Sequence, residues 1–268
     1  MLANNRQEQG RTFIALRMLG IVAIELQRIK FMENKLDVLY EDNHLIVVVK
    51  PQNIPTQGDS SGDTSLLDMV KQYIKEKENK PGEAFVGLVH RLDRPTGGVM
   101  VFAKTSKCAQ RLAAQLQEGL FEKKYLAVTV DTPREKQGRI ESWLLKDSAN
   151  NMVKVVPAAL PGAKKAILDY KVLEYNEKVA LVDVKLITGR SHQARVQLKS
   201  LGTPIFGDAK YGGDTLAKGH NLSLWAYSLR FYHPTTKEPF VFRVSPPQEK
   251  TPWNCFVLDK YINVIKSN

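Results

Sequence analysis

Residues 89–104, VHRLDRPTGGVMVFAK, constrain this chain more than any other stretch. Two apolar runs, 85–89 and 99–103, read as short strands, so the polar residues between them form a strand-connecting loop. Pro95 restricts the residue before it, and Gly97-Gly98 allows another backbone to approach closely. Asp93 stands in this loop with Arg91 and Arg94 on either side. Neighbouring positive charge favours the ionised form of a carboxylate, and an ionised carboxylate can serve as a nucleophile or base. Taken alone, the loop is explained at least as well by a surface turn whose Asp pairs with arginine for structure.

The rest of the pattern sets the fold class. Residues 36–40 and 45–50 read as strands joined by a turn at Glu41-Asp42-Asn43, and Pro51 and Pro55 end the second. The stripe Leu66, Met69, Val70, Tyr73 and Ile74 predicts a helix over 65–77, with Ser65 and Asp68 spaced as a capping box. A second helix is expected from Ser106 to Gly119, a strand over 125–130, and mostly β-structure from 138 to 188. Within that stretch, 166–175 and 179–187 form a hairpin around 176–178. A helix over 191–201 closed by Gly202, strands over 222–232 and 240–244, and a short helix after Pro252 complete the chain. Strands dominate and helices do not alternate with them. The expected class is α+β, with a mixed, largely antiparallel central sheet flanked by helices.

Two further segments carry chemistry. Residues 186–211, LITGRSHQARVQLKSLGTPIFGDAKY, lead a strand into a helix whose first turn offers free N–H groups to an anion. His192 and Arg195 share a face of that helix, and Arg195 is placed to pair with Asp93 or to grip a phosphate. Residues 123–128, KKYLAV, start a strand in which Tyr125 can stack on a base or exchange a proton. Each alone also fits a plain reading: a surface cation for Arg195, a core or sheet-surface side chain for Tyr125.

Charge narrows the partners. There are 39 Lys and Arg against 28 Asp and Glu, a net +11, which suits a polyanion. Cys108 and Cys255 form no CxxC pair and no zinc-ligand cluster with histidine, so neither a metal site nor a disulfide scaffold is expected, and a reducing cytoplasm is the default. Residues 13–29 are apolar but interrupted by Arg17, Glu25 and Arg28, too short and charged for a membrane span. Met32 stands just before the first clear strand. Residues 1–31 are therefore expected to be an extension outside the fold, the alternatives being an amphipathic helix or a tail.

Four segments taken together resemble one family. HRLDRPTGG resembles the HRLDxxTSG signature of the RluA/RluC/RluD-type RNA pseudouridine synthases. LITGRSHQARVQLKSLGTPIFGD resembles that family's TGRTHQIRVHLxxxGHPIxGD, KKYLAV its KxYxAxV, and VLYEDNHLIVVVKPQNIP its opening strands and LVxxKPxGxxxH turn. The set stands in family order across residues 36–244. Gly97 replaces a frequent Ser, Ala194 and Gln197 a frequent Ile and His, and Gln57 the common His. The resemblance implies a pseudouridine-synthase-like catalytic domain over 32–250, a helix or tail over 251–268, and no optional N-terminal RNA-binding module.

It also implies a reaction: isomerisation of uridines in ribosomal or transfer RNA, without cofactor or metal, on a nucleotide flipped from its stack. Asp93 would be the catalytic carboxylate. Tyr125 would stack on uracil or move a proton, and Arg195 would pair with Asp93. Arg91, Lys124 and Arg190 would contact RNA phosphate, with His192 beside them. A monomer without membrane association is expected. His90-Arg91-Leu92-Asp93 is superficially similar to the HRD of protein kinases, but GxGxxG and DFG segments are absent. An inert RNA-binding scaffold is opposed by the joint presence of Asp93, Tyr125 and Arg195.

Overall fold

The computed structural model describes residues 36–79, 81–212 and 219–262. The chain divides into two units, residues 1–37 and 38–268, and the architecture below is that of the second. The expected extension at residues 1–31 lies outside the described residues.

Among the described residues eleven strands form one sheet, nine of them along the path β1-β2-β4-β10-β5-β9-β8-β6-β7, with β11 paired to β10 and β3 to β4 beside it. In chain order these strands are β1 (Asp37–Glu41), β2 (Leu45–Lys50), β3 (Gly87–Leu88), β4 (Gly97–Ala103), β5 (Glu122–Val130), β6 (Gln137–Asp147), β7 (Met152–Val156), β8 (Lys164–Tyr175), β9 (Val179–Leu186), β10 (Leu224–Tyr232) and β11 (Pro239–Arg243). Three helices accompany them among the described residues: α1 (Leu66–Lys77), α2 (Ser106–Gln117) and α3 (Gln193–Ser200). The expected α+β class, with its mixed and largely antiparallel sheet, is the observed one.

β2 and β4 are buried along their whole length, which explains why both read as unbroken apolar runs rather than alternating ones. They pair antiparallel from Leu45 opposite Ala103 to Lys50 opposite Gly98. The other edge of β4 is shared. Its end pairs with β3, and its start meets β10 in parallel through Trp225 opposite Gly97 and Ala226 opposite Gly98. These two pairs join the halves of the sheet. The two glycines make the joint possible: a Cβ on Gly98, which has φ +125°, would lie 2.3 Å from the carbonyl oxygen of Ala226, and one on Gly97 would lie 2.2 Å from the Trp225 ring.

Several local expectations shift. Ser65 caps α1 with the predicted reciprocal box to Asp68, whereas α2 is capped by Thr105 rather than Ser106. The strand expected over 85–89 shortens to Gly87–Leu88, with Phe85 exposed. α3 begins at Gln193 instead of residue 191, because His192 takes the left-handed conformation at φ 51° and turns the chain before the helix.

The last described segment is not a tail. It forms two 3-10 turns, Trp253–Cys255 and Leu258–Lys260, in place of a helix. Trp253, Phe256, Leu258 and Ile262 pack on Leu126, Val128, Leu181 and Trp225, so the core extends past residue 250. Residues 263–268 lie outside the described residues. In a neighbouring cluster Cys108 and Leu112 of α2 pack on Leu45, Val101, Phe121 and Phe231.

The joint supplies a test. Gly98→Ala combines a disfavoured φ with backbone overlap, so it is expected to cost at least about 3 kcal/mol or to prevent folding, as read by thermal or urea unfolding. A melting temperature equal to that of the unsubstituted protein contradicts this account.

Candidate active site

The Asp93 loop is held from beneath, carbonyl by carbonyl. Lys50, fully buried at the end of β2, donates from Nζ to the oxygens of Pro51 (3.0 Å), Arg94 (3.0 Å) and Thr96 (2.8 Å). Gln52 Nε2 donates to the oxygens of Pro95 (3.2 Å) and Leu222 (2.7 Å). Thr56 Oγ1 donates to Leu92 O at 2.8 Å and accepts from Leu92 N at 3.3 Å. A turn closed by Thr96 N on Asp93 O, 3.0 Å, completes the frame. Arg94 turns away from its neighbour: it donates to Asn53 O and Ser61 Oγ and pairs with Asp63 and Asp59.

The cation that faces Asp93 is Arg195. Its Nη1 lies 3.7 Å from Asp93 Oδ2, within ion-pair range but beyond a hydrogen bond. The fork of the guanidinium belongs to Asp208, through Nε to Oδ2 at 2.8 Å and Nη2 to Oδ1 at 2.6 Å. The Asp208 side chain is 0% exposed and that of Arg195 5%, against 27% for Asp93. Burial opposes the charge of Arg195, but the hydrogen bonds and charge of Asp208 more than offset it and raise its pKa. Asp208 is fixed in turn by N–H donors of Lys210 (3.0 Å) and Tyr211 (3.1 Å). The Tyr211 hydroxyl is hydrogen-bonded to His192 Nδ1 at 2.7 Å and accepts from Val153 N at 2.9 Å, and its ring lies 5.0 Å from the guanidinium carbon of Arg195.

Tyr125 points to the same face from β5. Burial, and secondarily the charge of Asp93, push its phenol above the usual range, so it stays protonated at neutral pH. Burial likewise lowers the His192 pKa, with Asp93 opposing and Arg195 adding to the effect.

Two adjoining cavities, of about 960 and 680 Å³, meet at Asp93. Arg91, Asp93, His192 and Arg195 line both, while Tyr125 and Arg190 line the larger. Lys124 is not brought in. Alternation along β5 puts it on the opposite face from Tyr125, where it faces Asp183 at 3.9 Å. Lys123 lines the larger cavity instead. Sequence reading missed Lys50, Asp208, Tyr211 and Lys123. Only Lys123 had a local signal, its spacing of two from Tyr125. Among the described residues no group of three His, Cys, Asp or Glu side chains is arranged to hold a metal, and no helix is long and apolar enough to cross a membrane.

An α+β sheet with a carboxylate, an arginine and a protonated tyrosine at a cation-rimmed cleft suits an enzyme with a polyanionic substrate. Comparison with known proteins makes the class specific. Residues 44–200 match the family model described as RNA pseudouridylate synthase. An uncharacterized RNA pseudouridine synthase of Bacillus subtilis is 34% identical over 80% of this chain and 70% of its own length. The ribosomal large subunit pseudouridine synthase C of Vibrio vulnificus is 32% identical over 75% of this chain and 63% of its own length. The solved human RNA pseudouridylate synthase domain containing 4 superposes with a TM-score of 0.67 at 26% identity, over 85% of this chain and 92% of that one. The chain belongs to the RNA pseudouridylate synthase family, as an RluA-type member, and is an isomerase acting on RNA.

Two outcomes follow from the supports of Asp93. Burial, partly opposed by the charge of Asp93, lowers the Lys50 pKa to about 7, whereas an unfolded lysine titrates at about 10.4. Between these values the fold binds fewer protons than the unfolded chain. The contribution of Lys50 to stability therefore rises with pH across that window and is lost as pH falls toward 7. The unfolding free-energy difference between the wild type and Lys50→Met should shift toward the wild type from about pH 7 to about pH 10. A difference that stays constant in urea titrations speaks against a desolvated Lys50. Asp208→Ala should cost about 3 kcal/mol by stranding a buried guanidinium, and a loss below about 1 kcal/mol would show that Asp93 or water replaces it.

Proposed function

We propose that Asp93 is the catalytic carboxylate of this pseudouridine synthase and that it acts on a uridine flipped out of ribosomal or transfer RNA. One observation carries the reading: Asp93 is the carboxylate at the junction of the two cavities, facing Arg195 and within electrostatic reach of Tyr125. Glu122 also lines the larger cavity, but it is engaged by Lys185.

The reaction breaks the bond from ribose C1′ to uracil N1, turns the base, and rejoins C1′ to C5. The C5 proton leaves to solvent and N1 takes one up in exchange, so the net change is an isomerisation with no electron transferred. Asp93 serves as the nucleophile toward the nucleoside, or assists glycosidic cleavage by taking a sugar proton that it returns when C1′ joins C5. Arg195 faces it at ion-pair distance and orients it. A protonated Tyr125 suits stacking on the uracil or donating a proton rather than taking one. Arg91 and Arg190, exposed at the rim, meet RNA phosphate beside His192. The reading takes the protein to act as a monomer. The name of the Vibrio vulnificus relative supports ribosomal RNA as substrate, and the preference for a cytoplasmic setting rests on that substrate and on the cysteine usage.

Unmodified large-subunit ribosomal RNA and transfer RNA, tritiated at uridine C5, test this reading. The wild type should release tritium from one of them. Asp93→Asn should lose at least about 1,000-fold in rate while keeping its unfolding midpoint. Release at the wild-type rate by Asp93→Asn rules out the assignment.

A further inference from the structure

Lys123 is a cation in want of an anion. It shares the face of Tyr125, about 6.6 Å further along the strand, and it lines the larger cavity. It lies against the turn that precedes α3, where a Cβ on Gly189 would meet its Nζ at 3.2 Å. Neighbouring lysines have partners: Lys124 faces Asp183, Lys185 pairs with Glu122, and Lys165 pairs with Glu141. Among the described residues Lys123 has neither a carboxylate nor a hydrogen-bond acceptor. Burial alone pushes its ammonium below the usual lysine range, with no charge nearby to restore it.

A second orphan lies beside it. His90 is buried, and its Nε2 accepts from Val101 N–H at 3.3 Å. Burial, and then the charge of Lys123, hold the imidazole neutral, its pKa pushed down to about 3. A neutral imidazole that accepts at Nε2 carries its proton at Nδ1, and that Nδ1 has no partner. Lys123 and His90 thus add two donors without acceptors to the wall of the cavity. A neutral uracil carbonyl would satisfy hydrogen bonding but not the desolvated charge, whereas a phosphodiester satisfies both.

We infer that Lys123, backed by His90, is the receptor for a backbone phosphate flanking the uridine that enters beside Tyr125. This rests on the reading of Asp93 and Tyr125 as the nucleoside site. It reassigns to Lys123 the phosphate contact that sequence alone gave to Lys124.

The test measures binding, not turnover, so it is independent of whether tritium release identifies the reaction. Fluorescence anisotropy with a short labelled oligouridylate gives affinity against salt concentration. Lys123→Gln should weaken binding roughly tenfold and reduce the slope of log K against log salt by about 0.7, the loss of one single-strand phosphate contact. Lys123→Arg should keep the slope, and so should Lys124→Gln. An unchanged slope in a folded Lys123→Gln, or a loss in Lys124→Gln of the size expected for Lys123→Gln, overturns the assignment. Should Lys123→Gln not fold, amine-selective acetylation of the wild type decides. Oligouridylate should protect Lys123 and leave Lys124 reactive, and equal labelling of Lys123 with and without it also overturns the assignment.

Discussion

The ammonium of Lys50 is the interaction on which the rest of the site depends. A loop that must project a carboxylate into a cleft and then enter a two-residue sheet joint turns its carbonyls inward, where water cannot reach them. An unsatisfied buried carbonyl costs about 1–3 kcal/mol, and Lys50 satisfies three, including those of Arg94 and Thr96. Gln52 and Thr56 hold the oxygens of Pro95 and Leu92. The strand exit that carries Lys50 and Gln52 is therefore the floor of the Asp93 loop. Burial lowers the affinity of Lys50 for its proton, and the three carbonyl oxygens are the acceptors that oppose that loss.

The division of Arg195 between two carboxylates has a chemical consequence. Had its fork closed on Asp93, both carboxylate oxygens would be spent on hydrogen bonds and poorly available to a nucleoside. Asp208 takes the fork instead and leaves Asp93 a single guanidinium nitrogen at 3.7 Å. That distance keeps an ion-pair contact without committing the oxygens. The second layer of Tyr211, His192 and Val153 keeps the fork aligned, so the orientation of Asp93 is set by a buried network and not by its own contacts.

Local signals in the sequence were enough for most of the fold. The capping box at Ser65, the two buried strands and the glycine pair at the joint are encoded within a few residues of where they act. Asp93, Tyr125 and Arg195 were recoverable only as a set, because each alone fits an ordinary structural role. What escaped was long-range. Lys50 meets Thr96 across 46 positions and Gln52 meets Leu222 across 170, so nothing near Lys50 or Gln52 announces the contact. Asp208 was hidden because its partner Arg195 had already been given to Asp93. His192 was expected inside the helix, and a left-handed residue there has no signature in a non-glycine side chain. Lys124 was chosen over Lys123 by adjacency to Tyr125, although strand alternation favours the residue two away.

That alternation also bears on how the surplus of positive charge works. The excess of Lys and Arg is large, yet much of it is locally cancelled: Arg94 by Asp59 and Asp63, Arg139 by Asp169, Lys104 by Glu41 and Glu78. Cancelled cations add little to the field beyond a Debye length and contribute little to capture of a polyanion. The cations that remain uncompensated around the cleft set the direction of approach. Arg94 stands on one side of Asp93 and is neutralised, while Arg91 and Arg190 stay exposed at the rim of the larger cavity and Lys123 lies within it. Under the proposed reading, a strand drawn by that field is led along the wall that carries Tyr125, which brings its bases past Asp93.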